Sequence, residues 1–322
     1  QGDLETAKKM FRVAKEADAV KLQKRENRKL YTRDMLAKPY DNRNSYGATY
    51  GEHREALEFG WLEYRELFDY ARELGITTFS TAFDFASADF LAKFDPPEFK
   101  IASGDLKNIP LLTHIAKLQK PMILSTGGGT MENVNRAYDA IMPMNDQLAI
   151  LQCTASYPAD FDQLNLQVIT TFRKRFANTI IGLSSHDNGI AMAVAAYMLG
   201  ARVIEKHFTL NHTLKGTDHA FSLEPTGLRK MVRDLNHCHE AMGDGIKRVY
   251  ETEVTPIMKM GKKLVAARDL PRGHAIRPED IVFKSPGDGL PPYEFDKVVG
   301  RTTIFDLKAD DDLTFEVLNG AE

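Results

Sequence analysis

Short apolar, β-prone runs alternate with longer amphipathic stretches between residue 4 and about residue 243. The amphipathic stretches, such as residues 64–74, 109–118 and 164–176, predict helices. The alternation is typical of βαβ units and a parallel sheet. The runs that predict strands are residues 19–23, 77–83, 99–104, 121–127, 148–153, 180–184 and 202–207.

The pattern predicts an α/β protein built as a (β/α)8 TIM barrel. Seven parallel strands do not close a standard eight-stranded barrel. The chain opens directly on a helix signal, with Asp3 as the N-cap of a helix over residues 4–14. We therefore expect the first barrel strand to lie upstream of Gln1.

The pattern changes after residue 243. Residues 244–262 form a polar connector with little periodicity, and residues 263–322 carry short strand-like pieces separated by turns rich in Pro and Gly. These pieces are residues 264–267, 275–277, 281–284 and 301–305. A β-rich domain of this size has a thin core, so we expect it to pack on the barrel or on another subunit.

Composition excludes some classes of binding partner. The 322 residues carry a formal net charge of -3, which gives no field to attract nucleic acid, and no apolar run is long enough for a membrane span. Small-molecule partners are therefore expected. The two cysteines are too few for a disulfide framework, and the first residues show no export signal, so we expect a cytoplasmic protein.

Two histidines stand at the ends of successive predicted strands. His186 follows the run 180–185, and His207 ends the run 202–207. The carboxyl ends of barrel strands meet at one rim, and two neutral imidazoles there suit a divalent metal with positions open for substrate. The alternative is a pair of hydrogen-bonded histidines that only cap their strands.

The other strand ends carry hydroxyl and ammonium groups. Such a rim suits an anionic substrate such as a phosphate ester. Lys100 is the sharpest case, because a lysine inside an apolar run is costly to bury without an anion. Taken singly, each serine could be no more than a strand-end hydrogen-bonding residue. The strand-end candidates are Lys21, Gln23, Ser80, Thr81, Lys100, Ser103, Asp105, Ser125, Thr126, Thr154, Ser156, Tyr157, Ser184 and Ser185.

Two carboxylates and a long segment complete the candidates. Strand alternation places Glu205 on the same face as His207, and Asp218 in the following loop could meet a polyol. Residues 25–59 are rich in tyrosine with little periodicity before Glu52. Connections of this length are usually lids or subunit contacts, and the alternative is a poorly ordered surface excursion.

Several ordered motifs carry a family resemblance. They resemble the N-acetylneuraminate (sialic acid) synthase family over nearly the whole chain, and the C-terminal part is similar to its antifreeze-like, or SAF, domain. The motifs are residues 100–105 (KIASGD), 123–127 (ILSTG), 152–158 (QCTASYP), 182–186 (GLSSH), 205–210 (EKHFTL), 218–219 (DH) and 222–225 (SLEP).

The resemblance implies a metal-dependent condensation of phosphoenolpyruvate with an open-chain N-acylated hexosamine, giving a nonulosonic acid and phosphate. The expected sugar is N-acetylmannosamine or its 6-phosphate. On this resemblance His186 and His207 bind Mn²⁺, with Mg²⁺ or Co²⁺ as possible substitutes. Two alternatives stay open: a synthase of legionaminic or pseudaminic type, and a non-catalytic barrel that only binds ligand.

The resemblance also implies residue roles and an assembly. The family's catalytic carboxylate lies upstream of residue 1, and a domain-swapped homodimer is implied. Catalytic roles fall on Glu205, Lys100 and Tyr157. The phosphoenolpyruvate positions are Lys21, Thr81, Lys100, Ser103, Ser125 and Ser184. The positions near the sugar are Gln23, Tyr157, Glu205 and Asp218, and Asp105 and Ser156 complete the predicted substrate-binding rim.

Overall fold

The computed structural model describes residues 2–319, and the chain divides into two compact units at residues 243 and 244. The first unit contains one seven-stranded sheet whose strands pair in chain order and are all parallel. This is a partial TIM barrel, as predicted from the alternating pattern. Its strands are β1 (Ala19–Lys24), β2 (Thr77–Ala82), β3 (Phe99–Ile101), β4 (Met122–Ser125), β5 (Leu148–Cys153), β6 (Ile180–Ser185) and β7 (Val203–Lys206).

Helices connect these strands and cover the sheet. No helix within residues 2–319 has the length and apolar character to cross a bilayer. The helices of the first unit are α1 (Leu4–Ala14), α2 (Asn27–Leu30), α3 (Arg33–Ala37), α4 (Tyr50–Glu55), α5 (Trp61–Leu74), α6 (Phe85–Ala92), α7 (Ile109–Ala116), α8 (Met131–Ile141), α9 (Gln167–Arg175), α10 (Ala191–Met198) and α11 (Pro225–Ala241).

Local signals explain where the elements begin and end. The Asp3 carboxylate accepts a hydrogen bond from the Thr6 amide at 2.6 Å and caps α1. Gly75 ends α5 with a φ of 71°, a left-handed corner that favours glycine. The eighth strand predicted upstream of Gln1 lies outside the described residues, and β1 and β7 are the edges of the sheet described here.

The barrel core leaves the carboxyl ends of the strands free for chemistry. Leu111 and Leu112 of α7 are fully buried, and they belong to the same apolar cluster as Ile101 of β3 and Leu124 of β4. Burying such a side chain stabilises the fold by about 2 kcal/mol. Since the apolar clusters account for stability, the polar strand ends are available for ligands.

The long segment after β1 packs as a cluster of rings. Its rings make edge-to-face and tilted contacts, with centroids 5.3 Å apart for Tyr31 and Tyr50 and 4.5 Å apart for Tyr40 and His53. The His53 Nδ1 atom accepts the Tyr46 amide at 3.2 Å. These contacts, together with α2, α3 and α4, give the segment that follows β1 a packed structure of its own.

The second unit is small and β-rich. Strands β8 (Lys263–Ala266) and β9 (Ile281–Lys284) pair antiparallel, as do β10 (Thr302–Thr303) and β11 (Leu318–Asn319). Residues 244–262 were predicted only to be a polar connector, but part of this segment is a helix with Glu251 and Glu253 in its first turn. The predicted strand at residues 275–277 is reduced to a single bridge between Ala275 and Thr302. The elements are α12 (Glu251–Met260), β8 (Lys263–Ala266), β9 (Ile281–Lys284), α13 (Phe295–Val298), β10 (Thr302–Thr303) and β11 (Leu318–Asn319).

A buried carboxylate organises the turns of this unit. Asp280 is fully buried and accepts hydrogen bonds from Arg268 Nη2 at 2.6 Å, His274 Nε2 at 2.7 Å and the Arg277 amide at 3.0 Å. Burial alone would raise the pKa of Asp280, but the bonds from His274, Arg277 and Arg268 lower it to about 2. The carboxylate therefore ties three separate turns together.

We expect Asp280→Asn to destabilise the second unit by about 2 kcal/mol, because it removes charge-assisted hydrogen bonds to a buried group. In the wild type this contribution is complete above the usual carboxyl pKa of 3.8 and is lost as the pH falls towards 2. Hydrogen exchange of residues 263–319 in the whole protein measures the effect. Asp269→Asn is the control: it removes the charge of the exposed pair with Lys308 and keeps a side-chain oxygen for the Ala309 amide, so it should change protection little. Equal protection in both variants would contradict the prediction.

Candidate active site

A buried ammonium lies at the carboxyl end of β3. Lys100 Nζ donates to Ser125 Oγ at 2.6 Å and to the Ile101 carbonyl at 2.9 Å, and lies 3.7 Å from Glu205 Oε1. The Lys100 side chain is 3% exposed. Burial lowers the pKa of Lys100 to about 8, although Glu205 opposes this shift. The structure therefore joins β3, β4 and β7 through one cation.

The partner carboxylate is ionised. Glu205 Oε1 accepts a hydrogen bond from Ser184 Oγ at 3.0 Å. Burial would raise the pKa of Glu205, but the ammonium groups of Lys100 and Lys21 lower it to about 2. A carboxylate with a free lone pair beside a cation can accept a substrate hydroxyl.

Hydroxyl groups and tight backbone packing complete the same pocket. Lys21 Nζ donates to Thr81 Oγ1 at 3.3 Å, and the Gly127 amide donates to Ser103 Oγ at 2.9 Å. A Cβ at Gly127 would lie 2.8 Å from Ser103 Oγ and 2.9 Å from Ala155 Cβ, so only glycine fits there without displacing its neighbours. The close approach fixes the orientation of the Ser103 hydroxyl.

Cys153 is a pocket residue that the sequence analysis did not single out. Its thiol is within hydrogen-bonding reach of the Ser103 and Ser184 hydroxyls, and burial raises its pKa. The sequence signal that could have placed Cys153 in the pocket was its position, because it is the last residue of β5 just as Ser125 is the last residue of β4. The thiol is therefore neutral and lies among the hydroxyls of the pocket.

The two predicted histidines face each other on the rim. The ring centroids of His186 and His207 are 5.2 Å apart, with planes at 72°. His186 Nδ1 lies 2.8 Å from the Thr154 carbonyl, which can only accept. His186 Nδ1 therefore carries the proton, and Nε2 offers its lone pair.

Burial keeps the second imidazole neutral. Burial lowers the pKa of His207 to about 4, although Asp218 opposes this shift from a carboxylate oxygen 3.6 Å from His207 Nδ1. The Tyr157 ring lies 4.0 Å from the His186 centroid and 6.1 Å from that of His207. Phe221 contacts His207 at 5.1 Å between centroids. Two neutral imidazoles under aromatic rings are available as ligands at pH 7.

The donor set fits a divalent metal with open coordination positions. Within residues 2–319 no group of three or more His, Cys, Asp or Glu is arranged to bind a metal ion. His186 and His207 are therefore the candidate metal ligands at this rim, and water or substrate oxygen would have to complete the coordination of a bound ion. The Nδ1 hydrogen bond of His186 is the usual support for a metal-binding imidazole.

Three predicted rim residues bond elsewhere. Gln23 Oε1 accepts from Arg25 Nη2 at 2.7 Å, and Ser156 Oγ donates to the Pro158 carbonyl at 2.8 Å. Asp105 accepts from Asn108 Nδ2 at 3.1 Å, and burial raises its pKa. None of these bonds joins the Lys100 pocket or the imidazole pair, so their roles stay predictions.

A buried ion pair lies beside the two rim histidines. Lys206 Nζ donates to Asp187 Oδ1 at 2.8 Å and to the Asp187 carbonyl at 2.5 Å. Both side chains are at most 3% exposed. Lys206 and Asp187 each neighbour a rim histidine, so this pair ties the end of β6 to the end of β7. Sequence alone gave no signal for it beyond adjacency.

Comparison with known proteins identifies the family. The family model for the NeuB family matches residues 10–247, which is most of the chain, and the SAF domain model matches residues 263–318. The chain belongs to the NeuB family. The resemblance to sialic acid synthases and the SAF-like C-terminal domain, both predicted from motifs, are confirmed.

Three relatives show how far the likeness extends. The chain is 38% identical to human "N-acetylneuraminate-9-phosphate synthase", over 99% of this chain and 90% of that protein. It is 34% identical to the "N,N'-diacetyllegionaminic acid synthase" of Legionella pneumophila, over 98% and 90%. A solved sialic acid synthetase from Leptospira borgpetersenii, in complex with citrate, matches at a TM-score of 0.65 and 30% identity, over 80% of this chain and 86% of that one. NeuB-family synthases are generally metal-dependent, which agrees with the imidazole pair.

Proposed function

We propose that this NeuB-family chain is a transferase that condenses phosphoenolpyruvate with an open-chain N-acylated hexosamine, namely N-acetylmannosamine or its 6-phosphate. The observation that carries this proposal is the pairing of two features on one rim. A buried cation, Lys100, lies among hydroxyl groups and beside Glu205, and Glu205 is two residues from the His207 imidazole. Full-length similarity to sialic acid synthases supports the same reaction.

The Lys100 pocket binds phosphoenolpyruvate in this proposal. Lys100 and Lys21 supply positive charge for its carboxylate and phosphate, and the Ser103, Ser125 and Ser184 hydroxyls supply donors. C3 of phosphoenolpyruvate forms a bond to the sugar aldehyde carbon, water adds at C2, and phosphate leaves with its bridging oxygen by cleavage of the bond between C2 and that oxygen. Atoms balance as one phosphoenolpyruvate, one sugar and one water giving one acid and one phosphate.

The imidazole pair serves the sugar end. His186 and His207 would bind a divalent metal, for which we propose Mn²⁺ with Mg²⁺ or Co²⁺ as substitutes, and the ion would supply Lewis acidity for the aldehyde oxygen. Glu205, ionised beside Lys100, orients a substrate hydroxyl. Tyr157 covers both rings, and burial raises its pKa to about 12, so its hydroxyl stays protonated and can donate.

The test is phosphate release by the purified protein. We expect release from phosphoenolpyruvate only when an N-acetylhexosamine and a divalent ion are both present. Mass spectrometry of the product then identifies the acid. No release with Mn²⁺, Mg²⁺ or Co²⁺, tried with mannosamine-type sugars and their 6-phosphates, would refute the proposal, and calorimetric binding of phosphoenolpyruvate without turnover would favour a non-catalytic binder.

Relatives also favour a second acceptor class. The chain is 34% identical to a legionaminic-type synthase and 32% identical to the "Pseudaminic acid synthase" of Campylobacter jejuni. Diacetylated 6-deoxyhexosamines in the same assay separate these activities from sialic acid synthesis. Turnover with them alone would reassign the acceptor and leave the reaction type unchanged.

We propose a homodimer and a cytoplasmic location for the working enzyme. The dimer is suggested by the thin core of the second unit, and light scattering of the purified protein tests it. The location is suggested by the two free cysteines, Cys153 and Cys238, and fractionation of cells that express the protein tests it.

A further inference from the structure

Lys215 lies in the loop between β7 and α11, next to the rim where the imidazole pair is found. The loop carries Asp218, whose carboxylate is 3.6 Å from His207 Nδ1. Three residues of chain span at most about 11 Å. A group on Lys215 is therefore within reach of a ligand that begins at the imidazoles and extends past Asp218.

The backbone of Lys215 is fixed by the segment that follows β1. Tyr46 Oη donates to the Lys215 carbonyl at 2.7 Å, and the Gly216 amide donates to Asn44 Oδ1 at 3.2 Å. His219 Nε2 lies 3.2 Å from the same Lys215 carbonyl. These bonds connect the loops that follow β1 and β7, the two edge strands of the sheet. Lys215 is therefore presented from an anchored loop.

The ammonium group has an aromatic neighbour and no acidic one. Lys215 Nζ lies 4.5 Å from the centroid of the Tyr46 ring. Across residues 2–319, no carboxylate lies within ion-pairing distance of Lys215. An aromatic face orients an ammonium without neutralising it, and the ammonium has three donors to offer. Lys215 is thus an oriented, uncompensated cation.

Other lysines near the carboxyl ends of the strands can be compared with Lys215 by their ion-pair partners. Lys24 pairs with Glu58 at 3.1 Å, and Lys206 pairs with Asp187 at 2.8 Å. Lys21, which has no such partner in the described part of the chain, belongs to the pocket that we assign to phosphoenolpyruvate. Lys215 therefore has an ammonium that is free to meet an anionic substrate group.

We propose that Lys215 binds the terminal phosphate of the acceptor, so that this chain selects a phosphorylated N-acylhexosamine over the free sugar. This inference rests on the proposed function. The aldehyde end of the acceptor lies at the imidazoles, its hydroxyls pass Asp218, and its phosphate meets Lys215. We assign the phosphate of phosphoenolpyruvate to the Lys100 pocket, which leaves Lys215 for a phosphate on the acceptor.

The test compares two acceptors in wild type and Lys215→Met. With N-acetylmannosamine 6-phosphate, we expect the KM of the variant to rise about tenfold to a hundredfold, which is the effect of one charged hydrogen-bonding partner. With unphosphorylated N-acetylmannosamine, and for phosphoenolpyruvate, the KM should not change. Lys215→Arg keeps the charge and should retain most of the preference for the 6-phosphate.

A control and a binding measurement guard against indirect effects. Lys117→Met removes an exposed lysine at the C-terminus of α7 and should leave both acceptors unaffected. Calorimetry with the two sugars, at saturating phosphoenolpyruvate analogue and metal, should show the same selective loss in Lys215→Met.

Several outcomes would overturn the inference. A wild type that uses the free sugar as well as the 6-phosphate would overturn it and leave the proposed function standing. An equal rise in KM for both sugars in Lys215→Met would assign Lys215 a loop-supporting role instead. A wild type that neither binds nor converts any hexosamine would refute the proposed function and this inference together.

Discussion

Replacing His207 by alanine should abolish the binding of divalent metal while the barrel unit keeps its fold. The imidazole pair is the proposed set of protein ligands at this rim, and no group of three or more metal-binding side chains occurs within residues 2–319. Removing half of that set should weaken affinity by more than about a hundredfold, beyond the loss caused by removing a supporting residue. The fold should survive, because the His207 side chain is 25% exposed and lies outside the apolar clusters.

Titration of Mn²⁺ followed by electron paramagnetic resonance measures the metal affinity, and circular dichroism checks the fold. His114→Ala is the matched control: this histidine on α7 pairs with Asp89 away from the rim, and its loss should leave metal binding unchanged. A His207→Ala protein that binds Mn²⁺ as the wild type does would remove the imidazole pair from the mechanism.

Lys100→Met should raise the dissociation constant of phosphoenolpyruvate by about a hundredfold and leave the metal affinity intact. Methionine keeps the apolar stem of the side chain and removes its ammonium, which contacts Ser125 and faces Glu205. The loss of a charged hydrogen-bonding partner costs about 1.5–3 kcal/mol of binding. The cost is increased because Glu205 then lacks its main counter-charge and repels an anionic ligand.

Calorimetry with phosphoenolpyruvate gives the dissociation constant, at a temperature where thermal unfolding shows the variant to be folded. Lys24→Met is the matched control. It removes a partly buried lysine that lies at the same end of the sheet but outside the pocket, where it pairs with Glu58. Weakening of similar size in both variants would indicate a general charge effect and would remove Lys100 from the anion site.

The pH dependence of phosphoenolpyruvate binding provides an independent check. Burial lowers the pKa of Lys100 to about 8, so the ammonium is present below this pH and is lost above it. We expect the affinity of the wild type to fall above about pH 8, since only the protonated form attracts the anion. The Lys100→Met protein should show no such fall. A parallel fall in both proteins would contradict this role.

Much of the barrel could be predicted from the spacing of apolar residues along the chain. Much of its rim could be predicted from which residues stand at the ends of the predicted strands. The strand β5 has the predicted bounds, residues 148–153, and β6 differs from its prediction by one residue. Strand β5 is buried on both faces, so its sequence is a continuous apolar run that is easy to recognise. The pairing of His186 with His207 followed from the same pattern, since neighbouring parallel strands end at the same edge.

The parts that could not be predicted depend on backbone atoms or on contacts far apart in sequence. The Thr154 carbonyl that orients His186 and the Lys215 carbonyl that accepts from Tyr46 are present in any residue type. Cys153 was not predicted to line the pocket, because a buried core residue and a buried pocket residue give the same apolar signal in the sequence. The helix α12 was missed because Pro256 and weak periodicity hide it, although its first turn is acidic.

The bond from His186 to the Thr154 carbonyl has a consequence for how this site can evolve. Because a main-chain oxygen sets the tautomer, the side chain at position 154 is free to vary without disturbing the ligand nitrogen. Its hydroxyl is engaged separately, with the Gln163 carbonyl at 2.9 Å. Divergent homologues can therefore exchange this threonine and still present the same imidazole lone pair, and a search for invariant residues would overlook the group on which that lone pair depends.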